Sequence, residues 1–495
     1  MEMSCGIRKY YKYHYREQLD FRYRLYLLDK EKDLSRRIQL AQDLMCRAVH
    51  GCGIGMFTSR QIEQPFLDLA DTLPCSENIQ CKPNSFLHVM TQAYLTGGHT
   101  RVVERWIETS PYTQKHSIVL LKQEDISYPQ KLVDITQCHD GNLYLFDDTD
   151  IVDRAIKLRE LALQYEYVIL HIHMDDPTAI VAFGTNKFIR PIILFNHADH
   201  LYWCGASIVD MLADLRDNHF ARKRRGVNKA FPIRIPFEPN PIFLNYPKSK
   251  EQSRIELGLP LNKKIILTTG SAVKFNPFTK YEFCDILSEI VLKHKDIVCY
   301  GIGPVTTTGN WSNYGEQFKA LGAINYGEQY FDYLNACDVY VNSIPLGGGT
   351  AMLDAVQFHK PVLSYSPFYT KLGDIIKGIT TTHNIKKFNI QLELLLTSDV
   401  YAHEFSEMQY TEVLNYHGVD AWRKNINQML ALTPKIHNIS LQDETLNSSI
   451  DDLAVLISLW NNSLSKRRWN IYDTYHVFQM LYRYIKDFFR TQSKR

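Results

Sequence analysis

Short apolar segments alternate with amphipathic, helix-like segments over two separate parts of the chain. The first part contains predicted strands at residues 86–90, 116–122, 142–148, 167–177, 190–200 and 232–237. The second part contains predicted strands at residues 263–270, 296–304, 338–343 and 361–365. Strands that alternate with helices predict parallel, doubly wound sheets, which bind ligands at the carboxyl ends of their strands. The pattern therefore predicts an α/β protein with two Rossmann-like domains.

The two predicted domains are bounded by helical and proline-rich segments. Residues 1–82 predict a charged, helical N-terminal region. The first Rossmann-like domain is predicted at residues 83–240 and the second at residues 253–385. Between them, residues 238–252 contain three prolines, which is typical of a linker. Residues 386–495 predict a C-terminal helical region.

A strand, a glycine-rich loop and a helix follow one another in the second half. Three successive glycines (residues 347–349) stand before Thr350, and Asp354 lies on the first turns of the predicted helix. Glycines let the backbone approach a phosphate, and the free N–H groups and the positive dipole end of the helix face it. The pattern predicts an anion site in which Asp354 accepts hydrogen bonds from a ribose. The alternative is a glycine-rich turn of the kind that any α/β protein contains.

Two further loops are predicted to lie near this anion site. Gly97-Gly98-His99-Thr100 follows the first predicted strand and precedes a helix, which again suits a ligand at a helix N-terminus. Lys274 follows the first strand of the second series. The carboxyl ends of parallel strands meet at one edge of a sheet. We therefore expect the Lys274 ammonium and the N–H groups of the glycine loop to converge on one diphosphate.

Two polar clusters end strands of the first predicted sheet. One contains His171, His173, Asp175 and Asp176, and the other contains Asn196, His197, Asp199 and His200. Ionisable side chains at strand ends lie in the ligand crevice, where histidine suits general-base work because its pKa is near the working pH. Three interpretations stay open: polar residues that cap strand ends, a catalytic or acceptor-binding site, and a metal site formed by His-x-His with carboxylates.

Composition narrows the class of protein. The 495 residues carry a net charge of +2 and a mean hydropathy of -0.26, as in an ordinary globular protein with no global attraction to nucleic acid. The ten cysteines are scattered, which predicts reduced thiols.

No signal peptide and no run of ~20 apolar residues is found, so a cytoplasmic location is expected. The basic, aromatic residues 465–495 predict either a helix packed across both domains or a contact with the inner face of a membrane.

Two Rossmann-like halves joined by a proline-rich linker resemble the GT-B fold of glycosyltransferases. Gly97-Gly98-His99-Thr100 resembles the N-domain glycine loop of many GT-B enzymes. Residues 273–277 and 348–354 resemble the lysine loop and the phosphate loop of the family 41 enzymes, which include the O-GlcNAc transferases and the bacterial cytoplasmic N-glucosyltransferases. The resemblance implies a donor site for a nucleotide sugar, formed by Gly97, Gly98, Lys274, Asn276, Gly348, Gly349, Thr350 and Asp354.

The resemblance also implies roles for these residues and a mechanism. Lys274 and Thr350 would hold the diphosphate of a UDP-sugar, and Asp354 would bind its ribose. Retaining family 4 enzymes carry two glutamates spaced E-x7-E around this loop, and Leu346 stands where the first would fall. This favours inverting, direct displacement. Lys274 and the helix dipole would stabilise the leaving diphosphate without a metal, and no cofactor besides the nucleotide sugar is expected. The base is expected to be one of four histidines: His99, His173, His197 or His200.

The acceptor is expected to be a protein side chain or a growing glycan. Gly349 stands where family 41 enzymes have a histidine, and the tetratricopeptide repeats of the O-GlcNAc transferases are missing. Two other functions are considered. One is a catalytically inactive GT-B scaffold for a partner glycosyltransferase, which the retained Lys274, Thr350 and Asp354 disfavour. The other is a dinucleotide-dependent oxidoreductase, which the lack of a G-x-G-x-x-G motif after any predicted strand disfavours.

Overall fold

The computed structural model describes most of the chain between residues 5 and 439. The gaps within this range are residues 51–55, 78, 96–97, 124–126, 149, 199–200, 217–225, 228, 238–245, 276–281, 309 and 367–373, and residue 482 is described as well. The side chains of residues 5–17 and 273 are outside the description. Three predicted site residues, Gly97, His200 and Asn276, therefore lie outside the described residues. Nearly all of the C-terminal segment 465–495 does so too.

Seven parallel strands form the first sheet. They are β1 (Lys82–Met90), β2 (Lys115–Leu120), β3 (Leu143–Leu145), β4 (Tyr165–His171), β5 (Ile192–Phe195), β6 (Met211–Asp214) and β7 (Ala230–Pro232). Their order across the sheet is β3-β2-β1-β4-β5-β6-β7. The inner strands are buried on both faces, so their sequences form continuous apolar runs rather than alternating ones. The sequence prediction omits β6, because its four residues are too few to show a period.

The second sheet has six parallel strands. They are β8 (Lys264–Thr269), β9 (Ile297–Ile302), β10 (Phe318–Gly322), β11 (Val339–Val341), β12 (Val362–Tyr365) and β13 (Thr381–Thr382). Their order is β10-β9-β8-β11-β12-β13. The sequence prediction omits β10, which includes Lys319 and ends in Gly322, and β13, which has two residues. The prediction of two doubly wound α/β sheets is confirmed.

Helices connect the strands and flank both sheets. They are α1 (Cys5–Lys30), α2 (Leu34–His50), α3 (Arg60–Thr72), α4 (Gly98–Thr109), α5 (Gln130–Cys138), α6 (Ile151–Ala162), α7 (Thr178–Phe183), α8 (Lys250–Glu256), α9 (Phe283–Val291), α10 (Glu328–Ala336), α11 (Thr350–Gln357), α12 (Ile385–Thr397), α13 (Asp399–His417) and α14 (Val419–Leu432). Oxygen-bearing side chains cap several of them: Ser59 caps α3, Asp150 caps α6 and Ser249 caps α8. Because α8 begins at Lys250, the end of the predicted linker is helical.

The N-terminal helices complete one face of the first sheet. Leu87 and Val89 of β1 pack in a cluster with Leu44 of α2 and Phe66 of α3, and all four side chains are buried. Burying these apolar side chains stabilises the fold by removing their surface from water. Helices α2 and α3 therefore share the core of the first sheet.

A second hydrophobic cluster continues from one half of the protein into the other. Phe86 of β1 and Trp106 of α4 belong to the same cluster as Tyr340 of β11, Leu353 of α11 and Trp422 of α14. Phe86 and Leu87 are neighbours in sequence but face opposite sides of the sheet, as the period of a strand requires. The two halves are thus joined by a shared apolar core.

The C-terminal helices return to the first half. His417 at the end of α13 donates from Nδ1 to the carbonyl of Ile235 at 2.8 Å, and Arg423 of α14 donates to the carbonyl of Thr109 at 2.7 Å. Beyond α14, Nδ1 of His437 lies 2.8 Å from a carboxylate oxygen of Asp210. These contacts fix the second half against the first. In the described part of the chain, no helix combines the length and the hydrophobicity needed to span a bilayer.

Truncation of Trp106 should destabilise the contact between the halves. Its side chain is fully buried, and its ring packs edge-to-face on Trp422 with centroids 5.4 Å apart. Trp106→Ala should lower the free energy of unfolding by about 3–5 kcal/mol, because it leaves a cavity and loses aromatic contact. Urea denaturation measures the change.

The matched control is Ile390→Ala, a truncation of a side chain on α12 that is 62% exposed. This change should alter the free energy of unfolding by less than about 0.5 kcal/mol. Equal effects of the two truncations would show that Trp106 is not part of the contact between the halves.

Candidate functional site

The glycine loop of the second half is folded around Asn342. This residue follows β11, and its side-chain oxygen accepts hydrogen bonds from the backbone N–H groups of Ser343 and Gly348, both at 3.0 Å. The hydroxyl of Ser343 donates to the carbonyl of Leu346 at 2.7 Å. Helix α11 begins at Thr350, directly after the loop. The loop therefore presents backbone N–H groups and a helix N-terminus at the carboxyl end of β11.

Lys274 brings a positive charge to this loop. It lies in a turn that directly follows β8, the strand beside β11. A Cβ atom built on Gly348 would lie 3.0 Å from Nζ of Lys274, so the ammonium sits against the glycine backbone. Burial lowers the pKa of Lys274, and no carboxylate among the described residues forms an ion pair with it. An ammonium without a counter-charge beside a glycine loop is suited to an anionic ligand.

The glycine segment of the first half meets the loop of the second half. A Cβ atom built on Gly98 would lie 3.3 Å from Cγ2 of Thr350, and one built on Gly349 would lie 3.1 Å from Ile235. Glycine at both positions allows this close approach. The structure thus brings together Gly98, Lys274, Gly348, Gly349 and Thr350. The parallel sheet predicted the meeting of Lys274 with the glycine loop, whereas Gly98 comes from the other half.

Asp354 joins the two halves by an ion pair. Its carboxylate accepts two hydrogen bonds from the guanidinium of Arg101, at 3.0 and 3.3 Å, and one from Arg105 at 3.4 Å. The hydroxyl of Tyr330 lies 3.4 Å from the same carboxylate. The guanidinium of Arg101 also stacks over Tyr326, 4.0 Å from the ring centroid. Asp354 is 4% exposed, so these partners offset the cost of burying its charge.

These contacts leave the predicted role of Asp354 untested. The carboxylate lies one turn beyond Thr350 on α11, near the glycine loop, as a ribose ligand would. Its oxygens already accept hydrogen bonds from Arg101, Arg105 and Tyr330. Ribose binding by Asp354 therefore stays a prediction, and a ribose hydroxyl would have to share or replace these bonds.

Three buried histidines and the partly buried His197 form a hydrogen-bonded chain across the first sheet. Nδ1 of His116 lies 3.0 Å from Nε2 of His88, and Nδ1 of His88 lies 3.1 Å from Nε2 of His171. Nδ1 of His171 lies 2.9 Å from Nε2 of His197. Three of the rings belong to the neighbouring strands β2, β1 and β4, and His197 follows β5. The sheet order therefore places these rings side by side, in the sequence in which they bond.

The structure describes three of the four predicted bases, and they lie together. His99 donates from Nε2 to the carbonyl of His171 at 3.0 Å, and its ring is 4.3 Å from that of His197. Nε2 of His173 lies 3.2 Å from the hydroxyl of Tyr94. Burial lowers the pKa of His99 to about 4 and also lowers the pKa of His173 and of His197. Neutral histidines keep a lone pair that can accept a proton.

The two carboxylates of the first polar cluster have separate partners. Asp176 accepts from the hydroxyls of Thr91 and Thr178, which fits the interpretation of a residue that caps a strand end. Asp175 lies with Cys46 and His50 of α2, and ligand atoms of the three are within 4.8 Å of one another. These three residues could hold a metal ion. Both ring nitrogens of His171 are engaged in the histidine chain, so the predicted alternative of a His-x-His metal site does not fit.

Several site residues were missed from the sequence. His88 and His116 are polar residues inside apolar strands, and that interruption is a signal that could have identified them. Arg101 and Arg105 are spaced like any exposed pair on a helix, and only the neighbouring half reveals their partner. Asn342 at the end of β11 gave no signal beyond a polar residue before a glycine loop.

The fold and the site define a two-domain α/β protein of the GT-B type. Similar solved structures include a glycosyltransferase from Rickettsia africae, with a TM-score of 0.53, 15% identity and coverage of 71% of this chain and 99% of that chain. Anabaena HepE in complex with UDP and glucose aligns with a TM-score of 0.51 and 12% identity, over 70% of this chain and 99% of that chain. A mutant O-GlcNAc transferase from Thermobaculum terrenum aligns with a TM-score of 0.50 and 11% identity, over 80% of this chain and 77% of that chain.

The sequence comparisons add no closer relative. No protein-family model matches the chain, and no curated protein does so. At identities this low, structural similarity shows the fold alone. The predicted GT-B fold is confirmed, and membership in family 41 stays a prediction.

Acid should destabilise the protein through its buried histidines. Burial lowers the pKa of His88 to about 3 and that of His99 to about 4, from an ordinary value of 6.5. Below pH 6.5 the unfolded chain binds protons that the folded chain does not. Stability should therefore fall with pH by about 1.4 kcal/mol per pH unit for each such histidine. Urea denaturation at about pH 7.5, 6 and 5 measures this slope.

One fewer buried histidine should reduce the slope. His88→Phe should reduce the number of protons taken up on unfolding between pH 6.5 and 5 by about one, which makes the free energy of unfolding less dependent on pH. His403→Gln, at an exposed position on α13, should leave this slope unchanged. An unchanged slope in His88→Phe would show that this imidazole titrates normally in the folded state.

Proposed function

We propose that the protein is a glycosyltransferase that moves a sugar from a nucleotide sugar, in particular a UDP-sugar, to an acceptor. The observation that carries this proposal is the ammonium of Lys274, which has no acidic partner among the described residues and lies against the glycine loop at the start of α11. The GT-B fold supports it, since one similar structure is that of a glycosyltransferase and another holds UDP and glucose. A diphosphate is an anion that such a site can bind through backbone N–H groups and a cation.

The proposed mechanism separates leaving-group and acceptor chemistry between the two halves. Lys274 and the N-terminus of α11 stabilise the negative charge that develops on the departing diphosphate. Thr350 lies at the same helix N-terminus and contacts the diphosphate. A histidine of the first half takes the proton of the acceptor as it attacks the sugar. Direct displacement from the side opposite the diphosphate inverts the configuration of the sugar.

We retain a protein side chain or a glycan as the acceptor class, in line with the O-GlcNAc transferase among the similar structures. His99, His173 and His197 lie together at the carboxyl ends of strands of the first sheet or beside them. We call the glycine loop of residues 347–349 the donor loop. An acceptor hydroxyl or amide that reaches these rings from the donor loop would find an unprotonated nitrogen.

Neutralising Lys274 should weaken the binding of UDP and slow the hydrolysis or transfer of a UDP-sugar. UDP should raise the melting temperature of the wild-type protein more than NAD does, because a ligand that binds only the folded state stabilises it. Lys274→Met should reduce this shift and lower UDP-sugar hydrolysis or transfer by about 10²-fold or more. Thermal denaturation with UDP and a screen of donor hydrolysis across nucleotide sugars measure the two effects.

The control is Lys319→Met, the same substitution at an exposed position on β10. It should leave the UDP-induced shift and the hydrolysis rate at wild-type values. No stabilisation by any nucleoside diphosphate would refute the proposed donor site. A fully active Lys274→Met variant would remove Lys274 from the leaving-group role.

A further inference from the structure

We propose that His197, His171, His88 and His116 form a proton relay, which takes the proton of the sugar acceptor at His197 and passes it through the first sheet to His116. The inference rests on the proposed function, because the acceptor of glycosyl transfer supplies the proton. It goes beyond that function in two respects. It selects His197 among the candidate bases, and it gives a role to three histidines that do not contact the acceptor.

The hydrogen bonds of the chain restrict the rings to two tautomeric arrangements. Burial lowers the pKa of each of the four rings, so each is neutral and has one N–H and one lone pair. Each bond in the chain joins an Nε2 to an Nδ1. If one ring carries its proton on Nε2, all four must do so, and Nδ1 of His197 keeps a lone pair. In the other arrangement every proton is on Nδ1, and Nε2 of His116 keeps the lone pair.

A single shift along the chain converts one arrangement into the other. Nδ1 of His197 takes the acceptor proton while its Nε2 proton passes to Nδ1 of His171. The Nε2 proton of His171 passes to Nδ1 of His88, the Nε2 proton of His88 passes to Nδ1 of His116, and Nε2 of His116 gives its own proton to the neighbouring ring of His139. One proton enters the four rings and one leaves them, and each of the four is neutral before and after. Between turnovers His139 returns a proton to Nε2 of His116, the protons shift back along the chain, and Nδ1 of His197 gives one to water, which restores the first arrangement.

The entry of the relay adjoins the donor loop. The ring of His197 packs on that of His99, which follows Gly98, and Gly98 lies against Thr350. Nδ1 of His197 makes no hydrogen bond to another described residue, and this is the nitrogen that the relay requires to be open. Nδ1 of His99 is also unpaired among the described residues, but it is fully buried and Nε2 of His99 is bonded to a backbone carbonyl.

The other end of the relay approaches the surface through His139. The ring of His139 stands perpendicular to that of His116, with centroids 5.4 Å apart. Nδ1 of His139 donates to the carbonyl of Gln114, which leaves Nε2 as the ring atom that would receive a proton from His116. The ring of Tyr112, which is 79% exposed, stacks on His139 at 5.0 Å.

A purely structural role for the four histidines does not explain the unpaired Nε2 of His116 among the described residues. Nε2 of His116 is buried and has no hydrogen-bond partner in the described part of the protein. Leaving a buried polar atom unpaired costs about 1–3 kcal/mol. His116 stacks on Phe86 with ring centroids 4.8 Å apart. An exit for a proton gives this unpaired nitrogen a function.

Hydrogen exchange of the ring N–H groups tests the relay without any substrate. In protein labelled with ¹⁵N-histidine, protons that hop along the chain should exchange with D2O at His88 and His171 at least about 10²-fold faster than the backbone amides of Val89 and Leu170. All four residues are fully buried in β1 and β4. His116→Phe should slow the ring exchange at His88. Ring N–H groups as protected as the neighbouring amides would overturn the relay.

The kinetic test uses His88→Gln, which can donate and accept hydrogen bonds but cannot pass a proton between two nitrogens. UDP-glucose hydrolysis, with water as acceptor, should fall by about 10²-fold or more. In mixtures of H2O and D2O, the hydrolysis rate should vary along a curve with the fraction of D2O in the wild type. In His88→Gln it should vary linearly. Ile169→Val, a packing change beside His88 on the same face, should retain the wild-type rate and curvature.

The UDP-induced rise in melting temperature separates failure of the relay from failure of the proposed function. His88→Gln should keep that rise, because it does not touch the donor loop. Normal hydrolysis in His88→Gln that still binds UDP would refute the relay alone. No UDP binding in the wild type would refute the proposed function, and ring exchange would then decide whether the chain moves protons.

Discussion

The arrangement of the two halves depends on the ion pair between the carboxylate of Asp354 and two arginines. A buried carboxylate is stable only with cations or several hydrogen-bond donors, and Asp354 receives both its guanidinium partners from the opposite half of the protein. The two hydrogen bonds from Arg101 fix orientation as well as distance. Because the pair is removed from water, it also holds the glycine segments of the two halves against each other.

Helix α4 makes most of the contacts between the two halves that are described above. The period of the helix explains how it reaches several partners at once. Gly98 and His99 in its first turn reach the donor loop and the histidine rings. Arg101 and Arg105, four residues apart, share one side and pair with Asp354. Trp106 packs against the C-terminal helix α14. A change in the position of α4 would alter the donor loop, the histidines and the apolar contact together.

The charges of the cleft complement a diphosphate. Two cationic side chains, Arg101 and Arg105, pair with one buried carboxylate, and the Lys274 ammonium at the glycine loop has no acidic partner among the described residues. On the other side of the site, burial keeps the histidines neutral, so they add no competing positive charge. The glycine loop with Lys274 is therefore electrostatically suited to an anion, and the histidines of the first half are suited to proton transfer.

The sequence by itself determined the two doubly wound sheets, because strands of apolar residues alternating with amphipathic helices have few other packings. It also placed Lys274 and the glycine loop together, since both follow strands of one parallel sheet. The sequence prediction omitted short strands such as β6, because four residues are too few to show a period. Only the tertiary structure decided that Asp354 pairs with arginines of the other half and that His88 and His116 complete a chain. Those contacts depend on which strands are neighbours and how two sheets face each other, and local sequence pattern carries no information about either.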